Sequence, residues 1–127
     1  MKGILLVGLG GFVGSVVRYK LGGYVLHMTA QGRLPYGTFT VNVLGCLLVG
    51  VLAGIAERYE VFGPDTRLFL FTGLLGGFTT FSAFGLETVA LIRRGEPGTA
   101  ALYAAGSVVL GIAAVWIGLK LVSLLPR

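Results

Sequence analysis

Residues 73–84 have the sequence GLLGGFTTFSAF and lie in a charge-free apolar run that begins after Arg67 and ends at Glu87. This run is long enough to cross a bilayer as a helix. Its glycines and its two adjacent threonines favour an interruption of that helix. In hydrocarbon, an interrupted backbone is tolerated only inside protein or along a watery path, because every N–H and C=O group needs a partner. We therefore predict that the third helix is broken mid-membrane and that this segment is the functional part of the chain.

The composition of the chain is that of a membrane protein. It has 127 residues, of which 55% are hydrophobic and 12% charged, and a mean hydropathy of +0.90. These values exclude an ordinary soluble domain. We predict one all-α transmembrane domain over residues 1–127, with four transmembrane helices at about residues 3–26, 34–57, 67–92 and 99–122. The basic residues stand between the apolar runs, which favours contact with a lipid bilayer and argues against nucleic acid as a partner.

The glycine-rich start of the chain, GLGGFVG at residues 8–14, superficially matches a dinucleotide-binding fingerprint. The last glycine of that fingerprint is missing, and no acidic residue follows at the required distance. Gly10 and Gly14 are instead four residues apart on one helix face, where small residues let a second helix approach closely. The same spacing recurs in the later helices at Gly50/Gly54 and Gly73/Gly77.

Lysine and arginine are shared equally between the two ends of the predicted bundle. The end with both termini carries Lys2, Arg58, Arg67, Lys120 and Arg127, and the other end carries Arg18, Lys20, Arg33, Arg93 and Arg94. Orientation in a membrane follows the Lys/Arg bias of the loops, and here the two ends are balanced. The sequence therefore predicts insertion in both orientations and a dual-topology antiparallel homodimer. A single, weakly determined orientation is the alternative.

The second helix carries polar and small residues on one face, at positions 38, 42, 45, 46 and 49. Asn42 is the one amide within an apolar core, so it either bonds across helices or faces water. Cys46, the single cysteine, is interpreted as a packing residue. In the fourth helix Thr99, Tyr103, Ser107 and Gly111 recur every four residues, which indicates either close packing or a polar track.

Phe81 and Phe84 are three residues apart, on one helix face just beyond the predicted break. The edges of aromatic rings carry partial positive charge. They can face a small anion without trapping it as a buried arginine would. A path of ring edges and neutral N–H and O–H donors suits an anion that must shed water and still leave. The alternative is that the pair is only part of the core.

Catalytic groups are scarce, and we predict that the chain is not an enzyme. Most of the five carboxylates lie in predicted loops, and no His, Cys and Asp residues have the spacing of metal ligands. Glu87 is the one acid near the interior of a helix. It could be a pore-mouth residue, a partner for Arg18, or a side chain that reaches back to the interface.

Two motifs together resemble the small prokaryotic fluoride channels of the Fluc, or CrcB-like, family. They are GTFTVN at residues 37–42 and GLLGGFTTFSAF at residues 73–84, followed by Glu87 and preceded by a glycine-rich helix with Arg18. The resemblance covers the whole chain. It implies a passive, fluoride-selective channel in the prokaryotic plasma (inner) membrane that exports cytoplasmic fluoride. It also implies an antiparallel homodimer with two fluoride pathways, each lined by both subunits.

The resemblance further implies roles for individual residues. The backbone carbonyls of Gly76 and Thr79 from both subunits would coordinate a central structural Na⁺ at the dimer interface. From their positions in the sequence, we also predict that Arg18 and Glu87 are structural or pore-mouth residues. Two positions depart from common family members, because Ala83 and Gly111 stand where hydroxyl residues are often found, so the polar track is expected to be shorter here. The pore-lining residues would be Asn42, Phe81, Phe84, Tyr103, Ser107, Thr38 and Ser82.

Two other functions compete with a channel. A small multidrug-type proton-coupled exporter also has four helices and dual topology, but its mechanism needs a carboxylate embedded in the first helix. No Asp or Glu occurs between Gly3 and Leu26. A non-conducting scaffold would use the same glycines and hydroxyls only for helix packing.

Overall fold

The computed structural model describes residues 1–29, 32 and 34–127. Within these residues, four helical stretches are long and apolar enough to cross a membrane, and we call them the first to fourth spans: Lys2–Met28, Tyr36–Tyr59, Pro64–Arg93 and Pro97–Ser123. For these residues, the prediction of an all-helical fold with four helices able to span a membrane is confirmed. Arg33, which entered the charge comparison above, lies outside the described residues.

Three of the spans are single helices. They are α1 (Lys2–Met28), α2 (Tyr36–Tyr59) and α6 (Pro97–Ser123). The third span is composed of α3 (Pro64–Arg67), a π-helical segment (Leu68–Leu75), α4 (Gly76–Phe78) and α5 (Phe81–Arg93). Pro64 suits the first turn because its fixed φ matches a helix and it has no N–H to leave unpaired.

The backbone of the third span departs twice from α-helical geometry. At the end of the π-helical segment, the amide of Gly76 donates to the carbonyl of Phe71, five residues earlier. Between α4 and α5, Thr79 (φ −90°, ψ 156°) and Thr80 (φ −148°, ψ 116°) are extended. Thr80 then caps α5, because its side chain accepts a hydrogen bond from the amide of Ala83.

The first span packs closely against the third through glycine. A Cβ atom on Gly10 would lie 2.5 Å from the carbonyl oxygen of Phe69 and 2.8 Å from the amide nitrogen of Leu74. A Cβ on Gly14 would overlap the carbonyl oxygen of Leu74. The prediction that this glycine pair admits a neighbouring helix is confirmed, and that neighbour is the third span.

The core lies where α2, α5 and α6 meet. Val41 and Leu91 are each 1% exposed, and Leu91 packs with Ala100 and Tyr103. By contrast, α1 presents large apolar side chains outward, with Phe12 70% exposed. This distribution is expected of a bundle surrounded by lipid, since there the outer surface is as apolar as the interior.

Both termini and the connection between α2 and α3 lie at one end of the bundle. The Lys2 ammonium contacts the Asp65 carboxylate at 2.5 Å, which joins the start of the first span to the start of the third. At the same end, the Tyr59 hydroxyl donates to the Pro126 carbonyl at 2.8 Å, and Arg58 donates to the Leu125 carbonyl. The spans therefore alternate in direction along the chain.

Candidate functional site

Two cavities share Thr80 as a lining residue. The first, of about 410 Å³, is lined by uncharged residues that include Asn42, Thr79, Phe81, Phe84 and Ser107. The second, of about 390 Å³, is lined by residues that include Arg18, Thr38, Ala83 and Glu87. Residues from all four spans thus surround the extended backbone at Thr79 and Thr80.

Asn42 pairs with the main chain of Thr80 in both directions. Its Nδ2 donates to the Thr80 carbonyl at 2.9 Å, and its Oδ1 accepts from the Thr80 amide at 2.8 Å. The side-chain amide therefore bonds to Thr80 as a neighbouring strand would, which satisfies both polar groups of an extended residue. Because Nδ2 carries two hydrogens, one N–H of Asn42 remains after this pairing.

Two main-chain groups beside the extended residues also bind side chains. Arg18 Nε donates to the carbonyl of Gly77 at 3.0 Å, and Thr80 Oγ1 accepts from the amide of Ala83 at 3.2 Å. In a continuous helix, the carbonyl of Gly76 would accept from the Thr80 amide, and that of Thr79 from the Ala83 amide. Both of those donors are bound to side chains here, so these two carbonyls lose their helical partners.

The carbonyl oxygens of Gly76 and Thr79 fit, by their chemistry, the Na⁺ ion that the sequence resemblance implies. Main-chain carbonyl oxygens without helical donors are suitable ligands for an alkali cation, whose hydration shell they replace. In the part of the chain that the structure describes, three or more His, Cys, Asp or Glu side chains nowhere converge on a possible metal site. The carbonyl oxygens of Gly76 and Thr79 have the chemistry that an alkali-cation site needs.

The two phenylalanines beyond the extended residues form a tilted pair. The ring centroids of Phe81 and Phe84 are 5.7 Å apart, with 38° between the planes. Phe84 also packs against Tyr103, with 5.2 Å between the ring centroids and 56° between the ring planes. Phe81 is 84% exposed, although it lines the first cavity. Phe84 therefore packs against Tyr103 within the bundle, while Phe81 faces outward from the single chain.

Glu87 accepts hydrogen bonds from two other spans. Thr38 Oγ1 donates to one carboxylate oxygen at 2.7 Å, and the Tyr103 hydroxyl donates to the other at 2.9 Å. Tyr103 is only 2% exposed, so Glu87 links α2, α5 and α6 at a buried hydroxyl. Arg18 lines the same cavity as Glu87, but its Nε donates to Gly77.

Two further residues predicted for the pore differ in their surroundings. Ser107 lines the first cavity, and its enclosed Oγ has no hydrogen-bond partner among the described residues. A buried hydroxyl in that condition requires an explanation, such as an ion or water that it binds. Ser82 is exposed and lies outside the lining of both cavities, with its Oγ 3.4 Å from Thr80 Oγ1.

The sequence reasoning missed Thr80 and undervalued Cys46. Thr80 lines both cavities and accounts for most of the hydrogen bonds at the extended backbone. Its place beside Thr79, directly after the Gly-Gly pair, was the available signal. Cys46 lines the first cavity, and its Sγ lies 3.4 Å from where a Cβ on Gly111 would stand. The signal there was the shared helix face with Asn42.

Comparisons with known proteins agree over nearly the whole chain. The family model described as "CrcB-like protein, Camphor Resistance (CrcB)" matches residues 5–119. A protein of Methylobacillus flagellatus named "Fluoride-specific ion channel FluC" is 51% identical over 124 residues, which cover 98% of this chain and 97% of that protein. A protein of the same name from Nitratidesulfovibrio vulgaris is 47% identical over 94% of this chain and 95% of its own length. Another, from Novosphingobium aromaticivorans, is 48% identical over 95% of this chain and 96% of its own length.

Proposed function

The chain belongs to the CrcB-like family, and from this premise we propose that it is a fluoride-selective, passive anion channel. The observation that carries the proposal is the first cavity, where an amide, a hydroxyl with no partner among the described residues and two aromatic rings meet among uncharged side chains. Neutral donors and ring edges attract an anion less strongly than a fixed positive charge does. They therefore allow the ion to shed water and still to leave.

Each donor has a part in this pathway. The remaining N–H of Asn42 and the Ser107 hydroxyl donate to fluoride, and the edges of Phe81 and Phe84 face it between these groups. Thr38 and Glu87 line the second cavity and form the adjoining part of the route. The Tyr103 hydroxyl, outside the lining of both cavities, belongs to this part through its hydrogen bond to Glu87. Ser82 contributes from the exposed side of the extended residues. Arg18, at 3.0 Å from the Gly77 carbonyl, has a structural part at the mouth of the pore.

The working assembly is an antiparallel homodimer with two pores, in which Thr79 and Thr80 interrupt the third span at membrane depth. Two observations support it. Phe81 is 84% exposed in the single chain although it lines the cavity, so a second copy would cover it. The balance of Lys and Arg between the two ends favours neither orientation. A central structural Na⁺ would be held at the interface by the carbonyls of Gly76 and Thr79 from both copies.

The direction of transport follows from acid–base chemistry. Fluoride enters from acidic surroundings as neutral HF and dissociates in the more alkaline cytoplasm of a prokaryote. An anion pore in the plasma (inner) membrane then lets the inside-negative potential drive fluoride outward. The channel needs no energy source and no catalytic group. A proton-coupled exporter is not favoured, since the first span carries no carboxylate.

Fluoride efflux from proteoliposomes tests the proposal. Purified protein in fluoride-loaded vesicles should release fluoride rapidly into a fluoride-free bath when valinomycin and K⁺ balance the charge, as read by an ion-selective electrode. Vesicles loaded with chloride should release almost none, and protein-free vesicles provide the baseline. Equal rates for the two anions would reject selectivity, and baseline rates for both would favour a non-conducting scaffold.

A further inference from the structure

We propose that Asn42 is a positioning residue as well as a pore donor. In this role its side-chain amide, together with the Thr80 hydroxyl, withholds two amide donors from the helix and so frees the carbonyls of Gly76 and Thr79. The part of this inference that concerns sodium rests on the proposed function. The part that concerns the backbone rests on the hydrogen bonds alone.

The Thr80 amide has its hydrogen-bond partner on α2 rather than in its own span. In an α-helix it would donate to the carbonyl of Gly76, four residues earlier. It donates instead to Asn42 Oδ1 at 2.8 Å, while Asn42 Nδ2 binds the carbonyl of the same residue at 2.9 Å. A leucine at position 42 would leave both polar groups of Thr80 without these partners. The freed Thr80 amide would then open to solvent more often, and it would compete with a cation for the carbonyl of Gly76, its acceptor in a continuous helix.

The Ala83 amide likewise binds a side chain rather than a helical carbonyl. In a continuous helix it would donate to the carbonyl of Thr79, but it donates to Thr80 Oγ1 at 3.2 Å. This is an N-cap bond, in which a hydroxyl replaces the helical acceptor for the first turn of α5. Two side chains thus control the two carbonyls, Asn42 for that of Gly76 and Thr80 for that of Thr79.

A pore donor and a positioning residue differ in what their loss affects. A pore donor acts on fluoride, and its loss slows transport without affecting the carbonyls of the third span. A positioning residue acts on those carbonyls, and its loss also weakens whatever cation they hold. Ser107 is the matched control, since it lines the same cavity but makes no hydrogen bond to the third span among the described residues.

The test compares thermal stability with and without sodium. Full-length protein in detergent is heated in NaCl and in N-methylglucamine chloride of equal concentration. The wild type and Ser107→Ala should share the same sodium-dependent rise in melting temperature. Asn42→Leu and Thr80→Val should lose most of that rise, whereas Thr80→Ser, which keeps the capping hydroxyl, should retain it. A full rise in both Asn42→Leu and Thr80→Val would overturn the link to sodium.

Amide hydrogen exchange tests the backbone part independently. The Thr80 amide, followed by mass spectrometry of overlapping peptides, should exchange at least tenfold faster in Asn42→Leu than in the wild type. Asn42→Asp, which keeps an acceptor oxygen at the same place, should restore the protection. Equal exchange in Asn42→Leu and the wild type would overturn the positioning role. Should Asn42→Leu fail to fold, the Thr80 amide in Asn42→Ala decides the role of Asn42, and the Ala83 amide in Thr80→Val decides that of the capping hydroxyl.

The two measurements also separate this inference from the proposed function. A wild-type protein that gains no stability from sodium would contradict the sodium ion of the proposed channel, and the exchange of the Thr80 amide would still decide the role of Asn42. A wild type that is stabilised by sodium but passes no fluoride would contradict the channel and leave the positioning role standing.

Discussion

Replacing Gly10 by alanine should push the first span away from the third. The added Cβ would lie 2.5 Å from the Phe69 carbonyl oxygen, 2.8 Å from the Leu74 amide nitrogen and 3.0 Å from the Gly73 Cα. All three are backbone atoms that cannot turn aside. Ordinary van der Waals contact begins at 3.4 Å, so the two spans must separate by roughly 0.9 Å at this level.

Forced overpacking of this kind costs about 1–3 kcal/mol. That corresponds to a change of roughly 5- to 150-fold in the equilibrium between folded and unfolded protein. The midpoint of unfolding by SDS in mixed micelles, followed by circular dichroism, should therefore fall to lower SDS. Fluoride efflux should fall as well, because Leu74 belongs to the segment that leads into the extended residues.

Gly8→Ala is the matched control for this substitution. It is the same chemical change, one helical half-turn away on α1, at a position where an added Cβ meets nothing within 4 Å. This variant should be as stable as the wild type or slightly more stable, since alanine favours a helix over glycine by about 1 kcal/mol. Equal effects of the two substitutions would refute the reasoning from close packing.

Three other tests address the site and its surroundings. Phe81→Leu and Phe84→Leu keep an apolar side chain but remove the ring edges, so fluoride efflux from proteoliposomes should fall at least tenfold; unchanged efflux would exclude the rings from the pore. Tyr103→Phe removes one of the two donors to the Glu87 carboxylate and should cost roughly 1.5–3 kcal/mol, measured as a lower SDS midpoint. That cost should shrink when Glu87→Gln is already present, and strictly additive effects would contradict the pairing. Lys2→Ala should leave the midpoint unchanged, because its ion pair is exposed; a clear drop would show that this contact matters more than an exposed pair does.

The sequence predicted some of the residues that surround the cavities but not their geometry. Among the predicted pore residues, Asn42, Phe81, Phe84 and Ser107 line one cavity and Thr38 lines the other, while Tyr103 and Ser82 lie outside both linings. Their role in conduction stays a prediction. The double hydrogen bond between Asn42 and Thr80 was not predictable, because it depends on the rotation of α2 relative to the third span. For the same reason, the sequence left open three roles for Glu87, and the structure pairs it with Thr38 and Tyr103.

The amino-acid sequence by itself determined the membership of the family and the four apolar spans, because both depend on residues that are close together along the chain. Hydrophobic length decides what can cross a bilayer, and a motif is recognised from its spacing. Only the tertiary structure decided which carbonyls keep their helical donors. That outcome depends on contacts such as Arg18 with Gly77 and Asn42 with Thr80, which join residues far apart in sequence.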